Sequence, residues 1–356
     1  GEPRIDFKDN TKGSLLLEPS RSNVIQYSED FSQWGVAGTP LVVSSNELAP
    51  NGYYDAYDIT DDNSGIYEII RSNSASFDGT YTLSFFIKKT IGLLSHYAGA
   101  QFLGLSDYLI IDTTNGIVNQ TASEYSNIKT EDFGNWWKIS ATGTNTGSGF
   151  LVNIWAAISS NGTSLSSFAV GTNTFFGVQL EQGSYATSYI PTSGSAVTRV
   201  ADVCNNGANE QVINSTEGVL YLETKGFIDV PSSSEYIQLS KNGEASFNNS
   251  LTIQHRNNGY LRVYVNGTAT SGIHFNENID FTENHKIAVL YKLNGYKLFI
   301  DGVSKSLFGT PTQAVFSGLD NLSFDLRGAL SWNGSIKDLR VYNNALTDAE
   351  AIALTS

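Results

Sequence analysis

The sequence predicts an all-β protein: two antiparallel β-sandwich (jelly-roll) domains in tandem, with a short C-terminal helix. Three observations predict it. The chain is rich in strand-favouring aromatics, with 18 Tyr and 19 Phe in 356 residues, and these residues suit pleated, half-buried surfaces. Short apolar runs alternate with Asn-Gly, Asp-Gly or Gly/Ser-rich clusters, whose tight turns need positive φ. The length exceeds the roughly 250–300 residues at which a single core stops growing.

Residues 1–22 lack strong periodicity. Pro3, Gly13 and Pro19 around the run Leu15-Leu16-Leu17 predict an extended N-terminal arm that packs on the first domain. Residues 23–190 form the first sandwich. Its strands include Tyr81-TLSFFIKK, Tyr108-LIID, Trp136-WKISATGT, Phe150-LVNIWAAI and Thr174-FFGVQLE, with turns at Asn51-Gly52, Asp78-Gly79, Asn115-Gly116 and Asn161-Gly162. Such spacing reads as a sandwich or jelly roll. Residues 191–216 open on Pro191-TSGSA and read as a linker. A strand near 174–181 lying beside the one that starts at Asn23 would close the first sandwich on its own ends. Arg4 to Phe7 and Arg199 would then pack at the junction.

Residues 217–356 form the second sandwich, starting at Gly218-VLYLETKGF and including Tyr236-IQLS and Leu251-TIQHR. In Tyr260-Leu-Arg-Val-Tyr-Val, Leu261 and Val263 face one way, and Tyr260, Arg262 and Tyr264 the other. His285-KIAVLYK and Tyr296-KLFID flank Asn294-Gly295, a strong hairpin signal, and Asp301-Gly302 repeats the chemistry. A strand carrying Ile336, Leu339 and Val341 follows. The helix after it starts at Thr347, which with Glu350 has capping-box spacing.

Charge and composition exclude several classes. Net charge is −14, which disfavours nucleic acid and anionic membranes. No apolar run approaches the roughly 18 residues of a membrane span, so no membrane insertion is expected. The single cysteine, Cys204, cannot form an intrachain disulfide and reads as a small, semi-buried residue. There is no methionine, and the first residues are Gly1-Glu2-Pro3. The chain therefore reads as a processed product or a fragment.

Two resemblances follow from the motifs. The 285–356 stretch, with Tyr296-KLFIDG and Gly334-SIKDLRVYNNALTDAE, resembles the laminin-G-like, concanavalin A-like lectin sandwich, mainly a binding scaffold and often one for sugars. Glu2-PRIDF, Gly13-SLLLEPSRSNVIQYSEDFSQW and Phe176-GVQLEQGSYATSYIPTSGSAVTRVADVC resemble recurrent segments of tailed-bacteriophage structural proteins of the tail or fibre type. There they bracket a jelly roll similar to carbohydrate-binding modules. The resemblance implies a non-enzymatic virion surface protein (tail fibre, spike or head fibre) that attaches to host-surface glycans. It implies other virion proteins as partners and homo-oligomers, with trimers usual. The alternatives are a carbohydrate-binding tandem of a secreted bacterial protein and a purely structural virion component.

No cofactor is required by this reading. Similar jelly rolls often hold a structural calcium ion between their first and last strands. Here Glu29, Asp30 and Glu181 are the oxygen donors at those places, although the last strand lacks the paired aspartates of the pattern. Catalytic residues are not expected. Glycoside hydrolases on the concanavalin-like fold carry Glu-x-Asp-x-(x)-Glu on one strand, and no such triplet occurs. Asp58, Asp61 and Asp62 read as a solvated turn. His96, His255, His274 and His285 lack metal-ligand spacing, and His255 beside Arg256 reads as a strand-edge or surface residue within reach of an acidic sugar.

Carbohydrate sites pair aromatic faces with amides and carboxylates. The candidates are Trp34 in a loop, Tyr53 and Tyr57 on one face of a strand edge with Asp55 between them, and Tyr260, Arg262 and Tyr264. Trp155, Trp332 and one of Trp136 and Trp137 are expected in the core.

Overall fold

A computed structural model describes residues 4–7, 11–72, 78–90, 97–102, 105–145, 151–228, 231, 233–242, 247–267, 273–293, 295–306, 316–326 and 330–356. The chain is all-β; among the described residues its strands pair antiparallel and there is one α-helix, Asp348–Thr355. It divides into two compact units. The first sandwich is Arg21–Arg199; the second is Val200–Ser356 together with Gly1–Ser20.

The first sandwich packs two six-stranded sheets. One runs, in spatial order, Ile117–Gln120, Leu109–Asp112, Tyr97–Phe102, Val152–Ser159, Ile69–Arg71, Gly35–Ala37. The other runs Tyr125–Phe133, Trp136–Asn145, Gly79–Lys88, Gly171–Gln182, Tyr57–Asp61, Leu41–Ser44. Leu83, Phe85, Ile87, Ala98, Ala100, Ile154, Phe175 and Leu180 lie in the core between them. Alternation puts one side of each strand there.

The second sandwich has a seven-stranded and a five-stranded sheet. The seven-stranded order is Arg4–Asp6, Ser14–Leu17, Gly334–Tyr342, Glu217–Gly226, His285–Lys292, Gly295–Ile300, Val303–Lys305. The five-stranded order is Ile273–Asn278, Tyr260–Asn266, Ser250–His255, Glu235–Ser240, Asn321–Ser323. The expected 1–22 arm is corrected here. Its two short strands extend the seven-stranded sheet through Leu15 opposite Ile336, and Leu17 enters that core. The arm thus belongs to the second sandwich because its apolar run continues that sheet. Arg4 pairs with Glu18 and Asp202, whereas Arg199 donates to the Ser188 carbonyl within the first sandwich. The expected packing of both at one junction is therefore not seen.

The local signals at the C-terminal end hold. Lys292 lies opposite Gly295; Asn294 lies outside the described residues. Asp301 and Gly302 both have positive φ, 49° and 77°. Thr347 and Glu350 form a reciprocal capping box. Glu2 and Pro3 of the first bacteriophage-like segment, and Phe150, also lie outside the described residues.

The first sandwich closes on its own ends, as its sequence predicts. The Val24 amide donates to Leu180 O at 3.0 Å, and the buried Asn23 carboxamide accepts from the Ile25 and Leu180 amides. Residues 183–192 then cross the outer side of the sheet as a strap. Lys138 Nζ donates to Thr187 O at 3.1 Å, and the Ile190 amide donates to Gln179 Oε1 at 2.7 Å. Glu181 is fully buried and accepts from Thr187 N, from Thr187 Oγ1 at 2.7 Å and from Gln179 Nε2 at 3.0 Å. Gln179, Glu181, Thr187 and Ile190 in this segment thus serve to fix the strap to the sheet.

Removing the Glu181 carboxylate takes away the acceptor of three hydrogen bonds and a negative charge near the buried Lys138 ammonium. Glu181→Ala should therefore destabilise the first sandwich by about 3 kcal/mol, read by chemical denaturation. Burial pushes the Glu181 carboxyl above its ordinary value of 4.5. A raised carboxyl pKa contributes stability that is complete below the unfolded value and is lost as pH rises through the folded one. Relative to wild type, Glu181→Gln should therefore fare worse at pH 4 than at pH 7. A deficit that grows from pH 4 to pH 7 would contradict this.

Candidate functional site

The outer face of the five-stranded sheet brings together three of the six expected sugar-contact residues. Ile237, Leu239, Leu251, Ile253, Leu261, Val263 and Phe275 point into the core. Their neighbours along each strand therefore point outward. Strand register aligns these outward residues into two rows. One is Tyr236–Gln254–Arg262–Asn276; the next is Gln238–Thr252–Tyr264–His274. Directly opposed residues share a face with Cβ atoms about 4.5–5.5 Å apart, so each row forms a contiguous strip of polar and aromatic groups.

The first row is almost continuously hydrogen-bonded. Gln254 Nε2 donates to Tyr236 Oη at 2.8 Å, and Arg262 Nε donates to Asn276 Oδ1 at 2.7 Å. Arg262 Nη1 also donates to Tyr264 Oη, and its guanidinium carbon lies 5.1 Å from that ring's centroid. The chain of bonds breaks between Gln254 and Arg262. Gln254 Oε1 is buried and has no hydrogen-bond partner. Such an acceptor costs about 1–3 kcal/mol when unmet. Phe247, half-buried, stacks at an angle against both Tyr236 and Tyr264, at 5.8 and 5.6 Å between centroids. Tyr260 continues the outward side of its strand at 40% exposure.

The arrangement offers a fixed guanidinium, amide donors and acceptors, and aromatic faces on one rigid sheet. Arg262, Tyr264 and Asn276 are half-buried and Tyr260 is exposed, so a polyhydroxylated ligand could reach them, with Gln254 and Tyr236 buried behind them.

The remaining sequence candidates fare differently. Trp34 is corrected: it is only 6% exposed. Its Nε1 donates to Tyr27 O at 2.8 Å, and it packs edge-on against Phe31 at 5.1 Å. Tyr53 and Tyr57 do not share a strand. Tyr53 sits in a turn held by Asn51 and is 69% exposed, whereas Tyr57 opens the strand Tyr57–Asp61. Tyr57 donates to Asp30 Oδ1 at 2.9 Å and packs on Phe31. Burial, then the Asp30 bond, raises the Tyr57 pKa.

The expected calcium donors do not assemble. Asp30 caps the turn Phe31–Gln33 by accepting from Ser32 N and Oγ. The Ser32 hydroxyl bond holds its carboxyl below the ordinary value. Glu181 is saturated by the strap. Glu29 accepts from Tyr189 Oη at 3.2 Å, and burial together with the Asp55 charge raises its pKa. Among the described residues no group of three or more His, Cys, Asp and Glu side chains is placed to hold a metal ion. The residues present do not fit a calcium cage.

His255 is also corrected. It is 1% exposed, lies 3.9 Å from Phe281 between ring centroids and faces Glu235 at 3.5 Å. A buried imidazole cannot touch a glycan. The aspartate cluster is a solvated turn only at the exposed Asp62: Asp58 and Asp61 lie in a strand, and Asp61 accepts from the Asn63 and Glu68 amides.

Trp332 and Trp155 are buried, as expected, although Trp155 joins Ile110 and Ile158 in a separate cluster. Trp136 and Trp137 divide as expected for a strand. Trp137 packs on the inter-sheet core, and Trp136 lies in a cluster with Phe86 and Phe176.

Sequence reasoning missed Tyr236, Gln254, Asn276 and Phe247. Period-two alternation in Tyr236-Ile-Gln-Leu and Leu251-Thr-Ile-Gln carried a signal, because it places the polar residues opposite the apolar ones.

Comparison with known proteins places this face in context. Residues 228–352 match the family model of the concanavalin A-like lectin/glucanases superfamily. That segment contains every residue of the two rows. No curated protein matches the chain. Among solved structures, the chain is similar to the Ruminococcus gnavus IT-sialidase CBM40 bound to α2,3-sialyllactose. Identity is 15%, coverage 40% of this chain and 84% of that one, and the TM-score 0.34. A leech intramolecular trans-sialidase is 19% identical over 41% of this chain and 24% of its own, with TM-score 0.34. Mouse laminin α1 chain domains LG4-5 are 10% identical over 80% of this chain and 90% of their own, with TM-score 0.26. These likenesses are too distant to carry a function across. No helix among the described residues is long and apolar enough to cross a membrane.

Proposed function

We propose that the chain is a non-enzymatic glycan-binding protein mounted on a virion surface, as part of a tail fibre, spike or head fibre that attaches to host-surface glycans. The observation that carries the glycan-binding reading is the Tyr236–Gln254–Arg262–Asn276 row, with its unmet amide acceptor beside a fixed guanidinium. It lies in the segment that matches the lectin-type family model. The virion placement is supported by the resemblance of residues 2–34 and 176–204 to bacteriophage structural segments. The absence of a Glu-x-Asp-x-(x)-Glu triplet supports a binding role over hydrolysis.

A single sugar site of this kind binds weakly, at about millimolar Kd, or about −4 kcal/mol. Attachment to a cell then draws on several copies, and a trimer that links them gains through effective concentration. The test is to incubate the purified chain with a glycan array and with host cells, and to assay the glycans for released reducing or unsaturated ends. Glycan and cell binding without released ends is the expected result. No binding sinks the adhesive reading, and released ends sink the non-enzymatic one.

A further inference from the structure

We propose that the first sandwich carries a second glycan site, selective for a carboxylate-bearing sugar, at the row Arg71–Asn153–Gln101. Arg71 lies opposite Asn153, and Asn153 opposite Gln101, on three adjacent strands. Their neighbours Ile70, Ile154 and Ala100 are in the core, so the row lies on the outer face of its sheet. This extends the glycan-binding reading to the other sandwich but stands on different residues.

The row is incomplete as a protein structure. Asn153 Nδ2 donates to Gln101 Oε1 at 3.2 Å, and Gln101 Nε2 donates to Leu105 O at 3.2 Å. The bonds stop there. Asn153 is 3% exposed, yet its Oδ1 has no partner, and the buried Nε of Arg71 has none either. Arg71 is half-buried and makes no ion pair among the described residues. The row thus leaves an amide acceptor and a guanidinium donor unmet side by side.

Aromatic groups flank the row. Trp155, two residues beyond Asn153 and on the same side, meets Tyr108 edge-on at 5.5 Å. Tyr67 and Tyr97, half-buried, pack on the same cluster. A sugar carboxylate suits the guanidinium fork. Asn153 backs the guanidinium from within the face, and the half-buried tyrosine faces suit the apolar side of the ring. A neutral sugar would leave the guanidinium unmatched. The second sandwich repeats the chemistry with Arg262 beside Gln254, where the guanidinium is already engaged by Asn276 and Tyr264.

Saturation-transfer NMR on the full chain tests the assignment, with glucuronic acid and N-acetylneuraminic acid as probes, glucose as the neutral counterpart and acetate as the bare carboxylate. At least one sugar acid should show transfer, and glucose and acetate should not. Arg71→Gln should weaken that binding at least about tenfold, in line with loss of a charge-assisted hydrogen bond. Arg71→Lys should keep part of it. Both variants should unfold at the wild-type temperature, since the Arg71 side chain makes no hydrogen bond among the described residues. Transfer from neither acid, undiminished binding by Arg71→Gln, or acetate binding as well as the sugar acids would overturn the proposal. Binding of a sugar acid that Arg262→Ala abolishes and Arg71→Gln spares would overturn it too, while leaving the site of the second sandwich standing.

Discussion

Arg4→Ala is expected to destabilise the second sandwich by about 3 kcal/mol. Arg4 Nη2 bridges Glu18 Oε2 and Asp202 Oδ2, and both carboxylate side chains are only 4% exposed. Asp202 Oδ2 also accepts from the Glu18 amide at 2.8 Å, so the three residues form one network. Deleting one member of a buried ion pair costs about 3–5 kcal/mol, because a desolvated charge is left unmatched. Here both carboxylates would lose the guanidinium that bridges them. The lower end applies because Arg4 itself is 32% exposed. Arg4→Lys keeps the charge but loses the fork, and should fall between the two. The measurement is denaturant unfolding followed through Trp332, the single tryptophan of that unit. An unchanged midpoint in Arg4→Ala would show that the N-terminal hairpin contributes nothing to the sandwich.

Gly334→Ala should cost at least as much, for a steric reason. Gly334 pairs with Gly226 where two central strands of the seven-stranded sheet meet. A Cβ there would lie 2.3 Å from Lys225 O and 3.0 Å from Gly226 Cα. Both are backbone atoms, so no side chain can swing aside. Its φ of 157° is also one that L residues seldom adopt. The two strands must separate or the residue must shift, at about 3 kcal/mol or more. The expected result is loss of the Trp332 transition at low denaturant or failure to express in folded form. A variant as stable as wild type would contradict this packing. The glycine that opens the lectin-like Gly334-x-Ile-x-Asp-Leu string is thus needed for close strand approach.

The C-terminal 285–356 stretch was legible because its signals are local. Asp301-Gly302 and the Thr347/Glu350 box each act within a few residues, so sequence alone specifies them. The closing of the first sandwich at Asn23 was legible through the placing of its end strands. The two rows were not, because register pairs Gln254 with Arg262, Tyr236 and, through Arg262, Asn276. No short-range rule fixes that alignment. Trp34 misled because its segment reads as a polar loop, while Phe31 and the Tyr27 carbonyl draw it inward. His255 was readable in principle. Leu251 and Ile253 already point inward, and period-two alternation carries His255 with them. The bacteriophage-like string 176–204 spends its specificity on folding from Gln179 to Thr192, where side chains pin the strap.

The most direct test of the glycan-binding reading compares wild type with Arg262→Ala, using the strongest ligand found on a glycan array. Affinity is measured by calorimetry on the intact chain, with thermal unfolding as the control for folding. Arg262 is half-buried and reaches Asn276 and Tyr264 on the outer side of the sheet, away from the core, so the variant should fold. The account predicts a Kd weakened at least about tenfold, the loss of one charge-assisted hydrogen bond, with little change in Tm. Undiminished binding by a folded Arg262→Ala chain would contradict it.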